Sequence, residues 1–491
     1  EKRVAVSLLA VEENGEKRCC GAVFLNRGKQ GEDAMEVVLA ENVVFAVGGP
    51  GALYRASVYP VVHSGAIGLA IGIGAKTRNL AEFQFGMAST KFRWNVSGSY
   101  MQVLPRFVSR AADGISDEKE FLREYFKTPE EMYDMIFLKG YQWPFAAGHV
   151  PGSSLIDLFV NREIVERGRR VFLDYRTDPA DYDFQALSEE TRSYLTRSGA
   201  VASTPLRRLE RLNAPAIELY RSHGIDLSKE ALEIAVCAQH NNGGLAGTIW
   251  WESENVRHLF PIGEVNGSHG VTRPGGTALN AGQVGAFRAA EFIAANGAEE
   301  TLSLAAAEKA ALETMDRLKA AWRRPALRNW KEERAKFQNR MSENGAFIRE
   351  ETLLRKALAE TRSQLAALRE DGLGGNTIDD TVEALRNQQL LTAQILYLES
   401  ILKQVLDGVG SRGSALVLSP RGERIHPLLP EEWKRLPDDP AVRSRTLTGR
   451  LKPDGSAEFV WESCREIPAT DGWFETIWSD YRSKRIYGAH S

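Results

Sequence analysis

Residues 258–282 read HLFPIGEVNGSHGVTRPGGTALNAG, and they constrain this chain more than any other stretch. Leu259 to Ile262 make a short apolar run that reads as a buried strand. Glycines then follow in quick succession, which lets the backbone approach something bulky. An alanine-rich helix begins near Asn280, so Pro274 to Leu279 lie at or near a helix N-terminus. Free N–H groups and the helix dipole favour an anionic or polar ligand there. Strand, glycine loop and helix start together make a cradle, with Glu264, His269 and Arg273 set among the glycines. A packed core segment does not carry such residues.

The rest of the chain narrows what that cradle can belong to. Its 491 residues allow two to four domains and a large core. A net charge of −3 gives it no pull towards nucleic acid or an anionic membrane. The longest uncharged apolar run, Ser64–Ala75, is too short and too glycine-rich to span a bilayer. The chain opens at Glu1 straight into a strand pattern with no leader-like stretch, which reads as a fragment or a processed product. Cys19 and Cys20 are adjacent, while Cys237 and Cys464 stand alone. None has metal-ligand spacing, so buried or half-buried thiols, no metal site and a default cytoplasmic location are expected.

Texture divides the chain further. Residues 3–12 and 19–27 alternate as strands around an ENGEK turn, and 35–49 form a second β-segment. Its last run, Val43–Val47, is continuously apolar and expected to be buried on both faces. A Gly- and Ala-rich helix at 65–75 is expected to pack very close to a neighbour. From 82 aromatic residues become dense. Helices are expected at 117–139, 153–169, 187–198 and 205–223, with a strand at 170–175, the pattern of an inserted α+β domain. Residues 302–369 and 376–408 carry helical periodicity, broken by GLGGNT. The last eighty residues suggest a small β-containing appendage with strands at SALVLS, TLTGRL and AEFVWES. The expected division is 1–81, 82–237, 238–298, 299–408 and 409–491, of mixed α/β and α+β class.

AVGGPG at 46–51 follows a strand but is no dinucleotide fingerprint: Tyr54 stands where the last glycine belongs, and the next acidic residue is Glu82. In its wider setting, however, ENVVFAVGGPGALY resembles the ATGGxGxLY segment of the fumarate reductase, succinate dehydrogenase and L-aspartate oxidase flavoprotein family. HLFPIGEVNGSHGVTRPGGTALNAG is similar to that family's LFAxGE…HGANRLGGNSL, and AQHNNGGL at 238–245 to its AHYxMGGI. VFLDYR at 171–176 resembles the VYLD of the capping domain. SENGAFIREETLLRKAL at 342–358 and LDGVGSRGSAL at 406–416 resemble parts of the helical domain. The six segments keep the family order over residues 1 to 416.

The resemblance implies part of a Rossmann-like FAD-binding domain, an inserted capping domain and a C-terminal helical domain. It implies an FAD-dependent oxidoreductase that moves a hydride between flavin and a small carboxylate-type substrate, with a possible electron-transfer partner. Glu264 would hold FAD by its ribose. The backbone of Ala278 and Leu279, next to Gly276 and Thr277, would touch the flavin ring, and Gly48, Gly49 and Gly51 would pass beside the cofactor. Arg273 would bind a substrate carboxylate, which suits a guanidinium fork, and His240 would hold the substrate opposite the flavin. Arg106, in LPRF, falls near the family's proton-delivering arginine but lacks its RGEG setting.

Three departures accompany these matches. The family's strand–GxGxxG–helix unit is not found ahead of Glu1, in keeping with a fragment. QxHPTG has become EFQFGMAST, with Gly86 or its neighbour in place of a substrate histidine, and TGDG has become HSGAIG at 63–68. The lost histidine puts fumarate, succinate and aspartate in question as substrates, and Lys91, Arg93 and Trp94 are candidates for a replacement wall. The alternative function is a flavin-binding protein of electron transfer or an inactive scaffold.

Overall fold

Glu16–Asn26 is the strand on which the first part of the fold is built. It pairs antiparallel with Arg3–Glu13 on one side and Met35–Leu39 on the other, and it takes Val256–Arg257 in parallel near its start. Successive side chains on a strand point to opposite faces, yet Cys19 and Cys20 are both wholly buried. The sheet is therefore covered on both sides. Cys19 joins the main core, and Cys20 packs with Leu9, Val23, Ala307 and Ala311 beneath the helix Leu304–Trp322. Burial pushes the two thiols up to about 12 and about 11, so neither is reactive at neutral pH. Cys237 is buried in the same way, whereas Cys464 is exposed, contrary to the expectation for it. These features come from a computed structural model that describes residues 2–488 apart from 14, 297–301, 374–376, 465 and 467–470.

Val43–Phe45 and Leu259–Pro261 form a parallel two-stranded pair, which joins the first and the third expected segments. Leu259, Phe260 and Pro261 are buried as expected, but Val44 is 51% exposed. A run of apolar residues predicts burial on both faces only where both faces are covered, and the outer face of this pair is open.

The second large sheet runs Trp94–Asn95, Phe83–Ser89, Leu232–Asn241, Arg170–Asp174, Arg106–Arg110, antiparallel throughout. It runs through the residues expected to form the α+β block. Its central strand continues past the expected boundary at 237 and ends at Asn241. The expected helix at 117–139 is much shorter, Pro129–Leu138, after a 3-10 turn at Phe121–Glu124. Thr128 caps it by accepting from the Glu131 N–H, and Pro129 fits only at a helix start.

Four long helices, Leu304–Trp322, Trp330–Asn344, Glu351–Glu370 and Ile378–Leu406, follow. The last is buried along most of its length, and Thr377 caps its start. Helix Ile67–Gly72 lies hard against it. A β-carbon at Gly68 would fall on the backbone carbonyl of Gln389, so the glycine is what allows the approach.

Strands from the last eighty residues pair with strands from much earlier in the chain. Arg445–Leu451 sits between Thr77–Arg78 and Ala457–Ser463 in a sheet completed by Gly244–Leu245. Leu416–Arg424 pairs in parallel with Ile348–Arg349. Among the described residues no helix is long and apolar enough to cross a membrane.

Candidate functional site

The end of strand Leu232–Asn241 meets the loop after Leu259–Pro261, and at this junction the buried polar groups collect. The strand reaches it through an irregularity: its register against Phe83–Ser89 shifts between Ala238 and His240. Gln239 is the extra residue, as in a β-bulge, and His240 is re-aimed to pair with Gln84. The Gln239 amide is buried over Gly86, where a β-carbon would meet its nitrogen at 2.7 Å.

His240 is 7% exposed. Its Nδ1 lies 3.2 Å from Asn242 Oδ1, and its Nε2 finds no hydrogen-bond partner among the described residues. His269 packs edge-on against it, ring centroids 4.7 Å apart, and neither of its ring nitrogens has a partner there either. Arg273 reaches Gln84 Oε1 at 3.4 Å and the Pro274 carbonyl at 3.3 Å, while its buried Nε has no partner among the described residues. Burial, reinforced by the charge of Arg273 and by the proximity of His269, lowers the His240 pKa to about 3. His269 is lowered by burial and then by Arg273. A guanidinium stays charged in such a place, so the site at neutral pH holds a fixed cation beside two neutral imidazoles. The 3.9 Å approach of His240 Nε2 to Glu264 Oε1 is accordingly not an ion pair.

Glu264 closes the other side. Among the described residues both of its hydrogen bonds fall on Oε1, from the Tyr59 hydroxyl and from the Asn241 N–H at 2.7 Å. Burial raises its pKa, against the pull of these donors. The Tyr59 oxygen also accepts from Asn241 N at 3.1 Å, and the Tyr397 hydroxyl donates to Asn241 Oδ1 at 2.9 Å. The end of the strand is thereby tied to the first segment and to the long helix at once.

The glycines of the AVGGPG turn are at the same place. A β-carbon at Gly49 would come within 2.5 Å of Glu264 Oε1, and one at Gly51 within 2.5 Å of the Tyr59 side chain. At Gly48, with φ of +66°, it would fall on the His63 ring, which bonds the Gly49 carbonyl at 2.9 Å. The room left by these three glycines is thus taken up by the chain's own Tyr59, His63 and Glu264. Gly276 has φ of +77° and open space around it, and Thr277 begins the helix Thr277–Asn296. Leu279 is 80% exposed, so Gly276 to Leu279 form an open rim and not part of the buried cluster.

Arg106 is elsewhere. It bonds Glu120 at 2.8 Å, Asp174 at 3.2 Å and Glu118 at 3.4 Å, at the opposite end of the five-stranded sheet. Leu173, next to its partner Asp174, pairs with Leu232, and His240 lies about 26 Å further along that strand at about 3.3 Å per residue. Arg106 therefore stands apart from His240 and Arg273, committed to carboxylates of its own. The suggested wall also separates: Lys91 pairs with Glu230, Trp94 stacks on Phe92, and only Arg93 turns inward, to the Tyr59 carbonyl at 2.9 Å.

Tyr59, His63, Gln84, Gln239, Asn242 and Tyr397 complete the site, and nothing in their spacing announces them. Among the described residues no group of three or more His, Cys, Asp or Glu could hold a metal ion.

No family model matches the chain. A fumarate reductase (CoM/CoB) subunit of Methanothermobacter marburgensis is 31% identical over 220 residues, 43% of this chain and 37% of that protein. The chain thus spans little more than a third of that relative. The solved FrdA of E. coli quinol fumarate reductase superposes with a TM-score of 0.65 at 18% identity, covering 96% of this chain and 72% of that one. Mycobacterium smegmatis Sdh1 gives 0.63 at 16%, covering 98% and 70%. The chain has the fold of the fumarate reductase and succinate dehydrogenase flavoproteins, and part of it is related in sequence to a fumarate reductase.

Proposed function

We propose that this chain forms the substrate side of an FAD-dependent oxidoreductase acting on a small carboxylate. The observation that carries the reading is the cluster of His240, His269 and Arg273, whose buried nitrogens no described residue satisfies, with the Glu264 carboxylate 3.9 Å from His240 Nε2. Buried polar atoms are ordinarily hydrogen-bonded, so a cluster of unbonded ones suits a polar ligand, and the fixed guanidinium among them suits one that carries a carboxylate. The residues also fit the cofactor. Glu264 takes both its internal bonds on one oxygen, which leaves the other for a ribose hydroxyl. The start of helix Thr277–Asn296, with Gly275 and Gly276 in open space, suits the flavin ring or a phosphate. FAD, when bound, would supply the group that accepts or gives the hydride.

The chain's own residues would do the rest. Arg273 binds the carboxylate, and Gln84 sets the plane of its guanidinium. His240, held neutral, orients the substrate without competing for that carboxylate as a second cation. The closed packing around Gln239, Tyr397 and the bulge keeps water from the far side. An electron-transfer partner for the rim side belongs to the same reading.

One observation favours a substrate other than a dicarboxylate. Gly86 faces Gln239 on the strand beside His240, so this strand offers an amide where a second imidazole would be needed for a second carboxylate. The test is the flavin spectrum of the protein purified at its natural length, followed by dye-linked turnover with small mono- and dicarboxylic acids. Bound flavin and turnover of a carboxylic acid support the proposal. Bound flavin with no turnover of any acid favours an electron-transfer scaffold, and an absence of flavin binding overturns both.

A further inference from the structure

Asn242 is held at every polar atom. Its N–H donates to the Glu82 carbonyl at 3.1 Å, and its carbonyl accepts from the His269 N–H at 3.2 Å. Its side-chain Nδ2 donates to the Val271 carbonyl at 2.9 Å, and its Oδ1 faces His240 Nδ1 at 3.2 Å. The Val271 carbonyl decides which way the amide points, because the reverse orientation would set two oxygens against each other at that distance. Oδ1 is an acceptor only, so the nitrogen facing it must carry the proton. His240 is neutral and has one ring proton; with that proton on Nδ1, Nε2 presents a bare lone pair to the site. Neither His269 nor Glu264, whose Oε1 lies 3.9 Å away and beyond hydrogen-bond reach, bonds it.

We propose that Asn242 is a positioning residue that locks His240 as the Nδ1–H tautomer, so that the site takes a small acid carrying a neutral hydroxyl beside its carboxylate. This rests on the reading of Arg273 as the carboxylate anchor. A bare Nε2 repels a carboxylate oxygen and accepts from an O–H. An ammonium group would satisfy the lone pair equally well, but it would lie beside the same Arg273 charge that helps keep His240 unprotonated. The ligand chemistry that matches both groups is a 2-hydroxy acid.

The tautomer can be read without cofactor or turnover, which separates this inference from the one it rests on. In protein labelled with ¹⁵N-histidine, with the His240 signal assigned by its loss in His240→Gln, the expected pattern at neutral pH is a protonated Nδ1 and a bare Nε2. A protonated Nε2 in the wild type overturns the proposal outright. Asn242→Leu, which has no acceptor, is expected to give a mixture of tautomers. Asn242→Asp is expected to keep the proton on Nδ1 while moving the titration of His240 upward. Lactate against propionate, measured by calorimetry, is the binding probe. The hydroxyl is expected to tighten binding roughly fivefold, the worth of one neutral hydrogen bond, and Asn242→Leu to remove that advantage. Equal affinities in the wild type would overturn the ligand assignment even with the tautomer as expected.

Discussion

Lys139 and Asp157 form an ion pair with no exposure on either side chain, Nζ to Oδ2 2.8 Å. The pair lies between the end of helix Pro129–Leu138 and helix Leu155–Val165. Burial raises the Asp157 pKa, and Lys139 is what opposes it. In Lys139→Met the carboxylate loses that cation, and the cheapest escape is to bind a proton on folding. An aspartate with an unfolded pKa of about 3.9 costs about 1.4 kcal/mol per pH unit to keep protonated, hence about 4 kcal/mol at pH 7. This sets a ceiling on the electrostatic loss, and it agrees with the roughly 3–5 kcal/mol for breaking a buried pair. The sign follows from a folded pKa above the unfolded one. The loss is absent below about pH 4 and grows as pH rises towards the folded pKa. Urea unfolding of wild type and variant at pH 5, 6 and 7, taken on the first transition, is expected to show the difference shrinking by up to about 3 kcal/mol from pH 7 to pH 5. The double variant Lys139→Met/Asp157→Leu is expected to recover most of the stability and to lose the pH dependence. A difference that stays the same at all three pH values would refute the reasoning.

Arg273→Lys is expected to lower kcat/KM roughly 10- to 100-fold, the worth of one charge-assisted bond to a buried anion, with the flavin-to-protein absorbance ratio unchanged. Arg106→Lys is expected to leave kcat/KM within about twofold of wild type, because its partners are Glu118, Glu120 and Asp174 at the far end of the sheet; a loss like that of Arg273→Lys would contradict this placement. Gly243→Ala would put a β-carbon onto the Asn79 carbonyl and within 2.7 Å of Leu80 N. It is expected to cost about 2–3 kcal/mol, seen calorimetrically as a Tm lower by roughly 5–10 °C.

Local signals carried the fold a long way. The alternating strands around ENGEK, the helical repeats after 302 and the strand–loop–helix at 259–296 all have their own periodicity, and each formed near where it was expected. What could not be read was pairing at a distance. Thr77–Arg78 is two residues long and has no pattern, yet it receives the strand Arg445–Leu451 from the other end of the chain. The exposure of Val44 is of the same kind, since an apolar run says nothing about whether a second layer covers it.

The site divides along a similar line, and the reason is chemical. Arg273 and Glu264 stand out because charged residues among glycines are unusual in a core, His240 stands out through the resemblance of AQHNNGGL, and the fold brings these three together. Arg106 has the same residue type, but its role depends on which carboxylates reach it, and Asp174 does so only through the pairing of two strands. Asn242 is the harder case. AQHNNGG holds two adjacent asparagines, and in sequence they are equivalent. In the fold Asn241 binds Tyr397 through its amide oxygen, whereas Asn242 turns the other way, to His240 and Val271. Successive residues at a strand end face opposite sides, so one amide serves the scaffold and the other sets the proton on the imidazole. That proton decides whether the site offers its ligand a donor or an acceptor, and the choice is made by the carbonyl of Val271, two residues before Arg273.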